Sequence, residues 1–239
     1  MGVPGHDERP LRVKWEAASA DWVGWARSPH RDHAFWRMNL PQLMAMLPPA
    51  GELTLDVGCG EGRVARELIA IGHRVVGIES SPTLAQAARE ADPTFEVRVA
   101  DAAAMPLEDE EADLAVASLS LMNMDDMPQV LLEVARVLRP SGLLCFNVLH
   151  PVNSWGDSGL ESYFATGAYE ERIEAHGAKL TLHDTHRPLS DYFSALEGAG
   201  FLVESLHEPV PGDAYVKDHP EVSRWLRRPG FLSVRARLG

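Results

Sequence analysis

Residues 55–63 read Leu-Asp-Val-Gly-Cys-Gly-Glu-Gly-Arg: the end of a short apolar run that breaks into glycines at 58, 60 and 62. Glycine turns tightly and lets a backbone approach another group with no Cβ in the way. Behind the turn, Val64, Leu68 and Ile71 recur at i, i+4 and i+7, and Gly72 closes the pattern. That spacing predicts a helix, whose first N–H groups lack partners within it. A dinucleotide fingerprint GxGxxG would need glycine or alanine where Arg63 stands. A Walker phosphate loop and a GxSxG nucleophile elbow are absent as well.

Outward from this corner, short apolar runs alternate with helical periodicity. Leu53–Val57 reads as the first strand, Arg74–Glu79 as the second, Phe95–Val99 as the third, Ala112–Ser118 as the fourth and Leu143–Leu149 as the fifth. Between them, Ser81-Pro82 forms an N-cap and first-turn pair ahead of an inward stripe of Leu84, Ala88 and Ala91. Val130, Val134 and Val137 mark a further helix, stopped by Pro140 and Gly142. Leu189, Tyr192, Phe193 and Leu196 share the face of another, and Phe201–Leu206 and Phe231–Arg237 read as two last strands. Alternation of this kind implies right-handed crossovers and a parallel sheet. The expected fold is α/β: a Rossmann-like, seven-stranded, mostly parallel sheet with helices on both faces and an N-terminal helical cap. One domain is expected over 1–239, with the cap at 1–50, the ligand-binding core at 51–150, and a substrate insertion and C-terminal strands at 151–239. The stretch 152–185 is too long for an ordinary connection, and long insertions often serve as lids or binding loops.

Composition narrows the function. A formal charge of −13 over 239 residues argues against nucleic acid, which needs a basic face. Charge spread along the chain reads as solubility. No apolar run reaches the ~18–20 residues that span a bilayer. The N-terminus MGVPGHDERP has no apolar signal core, and His6 stands where a myristoylation site wants Ser or Thr. Cys59 and Cys145 belong to no CxxC pair; reduced thiols in a cytoplasmic protein are expected. The sequence leaves oligomeric state open.

Open α/β sheets bind ligands beyond the carboxyl ends of their strands, and polar residues gather there: Asp56–Gly62, Glu79–Ser81, Asp101-Ala102, Ser118–Asn123 and His150–Asn153. In this order they resemble class I S-adenosylmethionine-dependent methyltransferases, with Leu55–Arg63 similar to the family's first motif. The resemblance covers 51–150 well and the rest more loosely. It implies S-adenosylmethionine as cofactor and S-adenosylhomocysteine as product. It also implies that Asp56 and the backbone of Gly58 and Gly60 hold the amino-acid end, with Cys59 in the same turn. Glu79, followed by Ser80, would bind both ribose hydroxyls, Leu84 would pack on the adenine, Asp101-Ala102 would meet the adenine amino group, and Ser118 would contact the methionine part. The segments NVLHP, HRPLSDYF, LEGAGF and EPVP resemble a bacterial branch similar in layout to ubiquinone-pathway and secondary-metabolite methyltransferases.

The acceptor is less legible. The expected activity, in enzyme class EC 2.1.1, is methyl transfer to O, N or C of a small molecule. His150, at the end of the fifth strand, and His186, before the C-terminal helix, are candidate bases; each could equally hold a structural hydrogen bond. Trp15, Trp22 and Trp25 fall at i, i+7 and i+10 and are expected on one helix face, followed by Phe35 and Trp36. They either bury on the sheet or close a lid that excludes water. Trp22, Trp36, Trp155 and Tyr163 are the candidate acceptor contacts. His176, His183, Asp184 and His186 match no standard ligand spacing, so no metal is expected. A NAD-dependent oxidoreductase and a non-catalytic, cofactor-sensing binding protein are the alternatives.

Overall fold

A computed structural model describes residues 9–175 and 177–239; Gly2, His6 and His176 lie outside them. Helix α1 (Leu11–Ala26) leads through a π-helical turn (Phe35–Asn39) into α2 (Leu40–Met46). The alternating core follows: β1 (Thr54–Val57), α3 (Arg63–Ala70), β2 (Val75–Glu79), α4 (Pro82–Ala91), β3 (Glu96–Val99), β4 (Ala112–Ser118), α5 (Met127–Val137) and β5 (Leu138–Leu149). Beyond it lie α6 (Pro151–Ser158), a hairpin of β6 (Gly167–Ala175) and β7 (Ala178–His186), α7 (Leu189–Gly198), β8 (Phe201–His207), α8 (Asp213–Asp218) and β9 (Phe231–Leu238).

The main sheet has seven strands in the order β3-β2-β1-β4-β5-β9-β8. Its first five are parallel; β9 runs antiparallel to β5, and β8 antiparallel to β9. The expected sheet is therefore present with all seven strands, and strand order reverses between β1 and β4. Burial explains why these runs become strands: β1 and β2 are buried at every position, as a strand covered on both faces must be. One face packs on Val134, Tyr192 and Leu196 of α5 and α7. The other packs on Leu43, Leu68 and Ala88 of α2, α3 and α4.

Caps fix where helices begin beside the carboxyl ends of the strands. Ser81 Oγ accepts the Leu84 N–H at 3.1 Å, with Pro82 in the first turn, as the sequence implies. Asp126 caps α5 through the Gln129 N–H. Helix α1 lies across this end of the sheet. Its Glu16 carboxylate accepts from the Ser81 and Thr83 hydroxyls, and its Trp15 Nε1–H donates to the His183 carbonyl at 2.9 Å.

Two expectations change. The stretch 152–185 is not one long loop but α6 and the β6–β7 hairpin. Tyr169, Glu171 and Ile173 alternate there with Glu170, Arg172 and Glu174, so both faces carry charge and the period-2 apolar signal is lost. Trp25 does not share the face of Trp15. Ten residues of α-helix rotate it about 80° away, and only Trp15 and Trp22 touch, edge to face at 5.4 Å.

Gly77, mid-β2, leaves no room for a side chain: an added Cβ would stand 2.6 Å from the Phe95 ring and 2.7 Å from Cys59 Sγ. Gly77→Ala is expected to lower stability by about 1–3 kcal/mol, read as a reduced urea midpoint at unchanged slope.

Candidate functional site

The turn after β1 is built by left-handed glycines: φ is +71° at Gly58, +57° at Gly60 and +81° at Gly62. The N–H groups of Gly58 and Cys59 both donate to the Ile78 carbonyl, at 2.8 and 3.0 Å. A Cβ on Gly58 would lie 2.8 Å from that of Ser120, so glycine is needed for space as well as for conformation. Glu79, at the end of β2, accepts the Gly60 N–H at 2.9 Å through one oxygen and the Ser81 N–H at 2.8 Å through the other.

A cleft opens over these turns. All ten residues read from sequence as cofactor contacts line it: Asp56, Gly58, Cys59, Gly60, Glu79, Ser80, Leu84, Asp101, Ala102 and Ser118. Its apolar middle is completed by Ile78, Ala100 and Val130, and its roof by Arg12, Trp15 and Trp22 of α1. Asp101 is exposed and turns the chain by accepting the Ala103 N–H at 2.9 Å. Arg63, which stands where a dinucleotide fingerprint needs glycine, is buried. It pairs with Asp32 at 2.6 Å and lies 3.4 Å from the Phe35 ring centroid.

The segment after β4 forms a further wall; the sequence places Ser118–Asn123 at this end of the sheet but gives a role to Ser118 alone. Leu119 has φ +51°, a conformation that costs a non-glycine residue ~1–2 kcal/mol. Ser120 Oγ donates to the Val57 carbonyl at 2.6 Å, and Asn123 turns a buried, unpartnered Oδ1 within the cleft wall. From the hairpin side, Arg187 Nη2–H donates to the Met124 carbonyl at 2.6 Å.

The remaining candidates lie elsewhere. His150 caps α6, its Nδ1 accepting the Val152 N–H at 3.1 Å, while its Nε2 meets Glu208 at 3.0 Å. Burial holds its imidazole below the ordinary value, against the pull of Glu208. His186 is fully buried, with Nδ1 2.8 Å from Ser154 Oγ and Nε2 donating to the Tyr163 carbonyl at 2.9 Å. Both rings thus have both nitrogens occupied, and neither lines the cleft. Trp36 packs edge-on against Phe35 on the α2–α3 side of the sheet. Trp155 and Tyr163 pack on each other at 6.2 Å, and the Tyr163 hydroxyl accepts the Leu189 N–H. Of the four candidate acceptor contacts only Trp22 reaches the cleft. Neighbours on one strand, His183 and Asp184 point to opposite faces of β7. His33, His219 and Glu221 do gather, yet the imidazoles stack 3.9 Å apart and each meets the same Glu221 oxygen at 3.2 Å. That is an arrangement of hydrogen bonds rather than of converging lone pairs.

Burial dominates the electrostatics of the cleft. Asp56 is pushed up to about 7, first by burial and then by the neighbouring Glu79. Glu79 is raised by burial, against the N–H groups that it accepts. Burial lifts the Cys59 thiol well above its ordinary value and the Cys145 thiol to about 12, so neither is a thiolate nucleophile.

Residues 55–146 match the family model described as a methyltransferase domain. The malonyl-[acyl-carrier protein] O-methyltransferase of Serratia marcescens is 33% identical over 99 residues, 41% of this chain and 39% of that protein. An uncharacterized methyltransferase of Mycobacterium leprae is 29% identical over 187 residues, 75% of this chain and 66% of that protein. The chain spans about half or less of the length of the first curated relatives it matches. An S-adenosylmethionine-dependent methyltransferase from Mesorhizobium loti, solved by crystallography, superposes with a TM-score of 0.67 at 29% identity, covering 85% of this chain and 97% of that one. The chain has the class I S-adenosylmethionine-dependent methyltransferase fold, and the match to the methyltransferase-domain model runs from β1 into β5. No helix among the described residues is long and apolar enough to cross a membrane.

The raised carboxyls carry a pH signature. Asp56, and Asp184 by burial in the hairpin, hold their protons to about 7 when folded, against ~3.9 in an unfolded chain. The folded state binds more protons across that window. Their contribution to stability is therefore full below ~4 and lost as pH rises through ~7. Asp56→Asn is expected to flatten this decline, gaining urea stability relative to the parent at pH 8 but not at pH 4.

Proposed function

We propose that this chain transfers a methyl group from S-adenosylmethionine to O, N or C of a small molecule, releasing S-adenosylhomocysteine. The observation that carries this is the convergence of the ten residues after β1, β2, β3 and β4 on one cleft. The donor set fits the cofactor. Asp56 has a buried oxygen with no partner, suited to an ammonium group. Glu79 uses one lone pair of each oxygen on a backbone N–H, leaving the others for two hydroxyls. Leu84, Ile78, Ala102 and Val130 offer an apolar slot for a planar base.

When bound, S-adenosylmethionine supplies a methyl group already activated on a sulfonium sulfur. This chain's residues then have to align the acceptor and exclude water, and alignment alone supplies ~7–11 kcal/mol of a barrier. Trp15 and Trp22 roof the cleft, and the contacts of Glu16 with Ser81 and Thr83 fasten that roof. With His150 and His186 held in structural hydrogen bonds, no imidazole base is assigned. The oxidoreductase reading is disfavoured because Arg63, paired with Asp32, occupies the position of the third fingerprint glycine.

Calorimetry is expected to show one site for S-adenosylmethionine and one for S-adenosylhomocysteine, and none for NADH. Absence of binding to both at concentrations that detect 100 μM affinity (about −5.5 kcal/mol) overturns the reading. Glu79→Ala is expected to weaken S-adenosylhomocysteine at least tenfold, since hydrogen bonds to a charged group contribute ~1.5–3 kcal/mol each. Unchanged affinity in the folded variant removes Glu79 from the site.

A further inference from the structure

We propose that Asn147 is a positioning residue for this cleft: from the buried end of β5 it holds the left-handed turn at Leu119, which sets where Ser120 meets the glycine turn. This builds on the S-adenosylmethionine reading above, because the ligand provides one of its two readouts.

Asn147 is fully buried between the equally buried Phe146 and Val148. An amide in such a place requires partners, and its partners are specific. Its Oδ1 accepts the Ser118 hydroxyl and the Leu119 N–H, each at 3.0 Å. Its Nδ2 donates to the carbonyl of Asn39, itself fully buried, at 3.3 Å. The Leu119 N–H also reaches the Asn147 carbonyl at 2.9 Å. That donor is therefore shared between the ladder oxygen and the side-chain oxygen of one residue. A leucine in its place would pair with β4 and β9 equally well through its backbone, so the sheet does not require the amide.

The turn requires it. Glu110, Leu119 and Ser141 are the non-glycine residues with positive φ among those described, and of them only Leu119 lines the cleft. Strained backbone persists where its surroundings over-determine it. The next residue, Ser120, reaches back to the Val57 carbonyl and stands against Gly58. Contacts thus run without a break from Asn147 through Leu119 and Ser120 to the turn that faces the ligand.

A double-mutant cycle tests this. Parent, Asn147→Ala, Leu119→Gly and the double variant are titrated with S-adenosylhomocysteine by calorimetry and unfolded in urea. Glycine adopts positive φ unaided, and the packing that Leu119 loses cancels in the cycle. Asn147→Ala is expected to weaken the ligand at least tenfold when Leu119 is present and no more than threefold when Gly replaces it. The urea midpoint should likewise fall further in the Leu119 background. Equal losses in both backgrounds, or unchanged affinity in a folded Asn147→Ala protein, overturn the proposal. If Asn147→Ala does not fold, Asn147→Ser runs the same cycle with the same outcomes. If the parent binds no S-adenosylhomocysteine, the functional reading fails, while coupling in the urea midpoints still decides for or against Asn147.

Discussion

Two N–H groups on two different turns share the carboxylate of Glu79. One belongs to Gly60, after β1, and the other to Ser81, after β2. These strands are neighbours in the sheet, and the Gly58 and Cys59 N–H groups carry their pairing one step further to Ile78, but Gly60 and Ser81 lie beyond it. A carboxylate with an oxygen for each loop does so, and its burial strengthens both bonds by removing competing water. The cap of α4, the seat of α1 on Ser81 and Thr83, and the height of the glycine turn all follow from where that group sits. Burial likewise raises the Glu79 pKa and that of Asp56, to which the neighbouring Glu79 adds.

Much of this was legible in the residues. Parallel strands covered on both faces give unbroken apolar runs, and glycines at 58, 60 and 62 have few uses besides a turn of positive φ. Asp56, Glu79, Asp101 and Ser118 could be placed in one cleft because each ends or follows a strand of a parallel sheet, where the carboxyl ends point the same way. That inference needs only topology, which is why it reached side chains far apart in sequence.

Other features depended on contacts that sequence spacing does not encode. His150 and His186 are the residue type that catalysis favours, yet caps and buried hydroxyls use the same nitrogens, and only geometry separates the two. Asn147, three residues before His150, is chemically duller and structurally more consequential. Its one legible sign was an amide inside an otherwise apolar strand. The hairpin escaped notice because charge on both faces of β6 erases the alternation by which strands are recognised. Trp36, Trp155 and Tyr163 stand against neighbouring rings away from the cleft, and large rings pack on one another as readily as on a ligand.

The cleft is assembled from two parts of the chain. Its floor, with every residue read as a donor contact, falls within 55–146, the span shared with the methyltransferase domain. Arg12, Trp15 and Trp22 come from the first helix, and the hairpin braces the far wall through Arg187. Both lie outside that span. The first helix and the hairpin can therefore be rewritten, reshaping the space above the floor, while the residues of the floor keep their places.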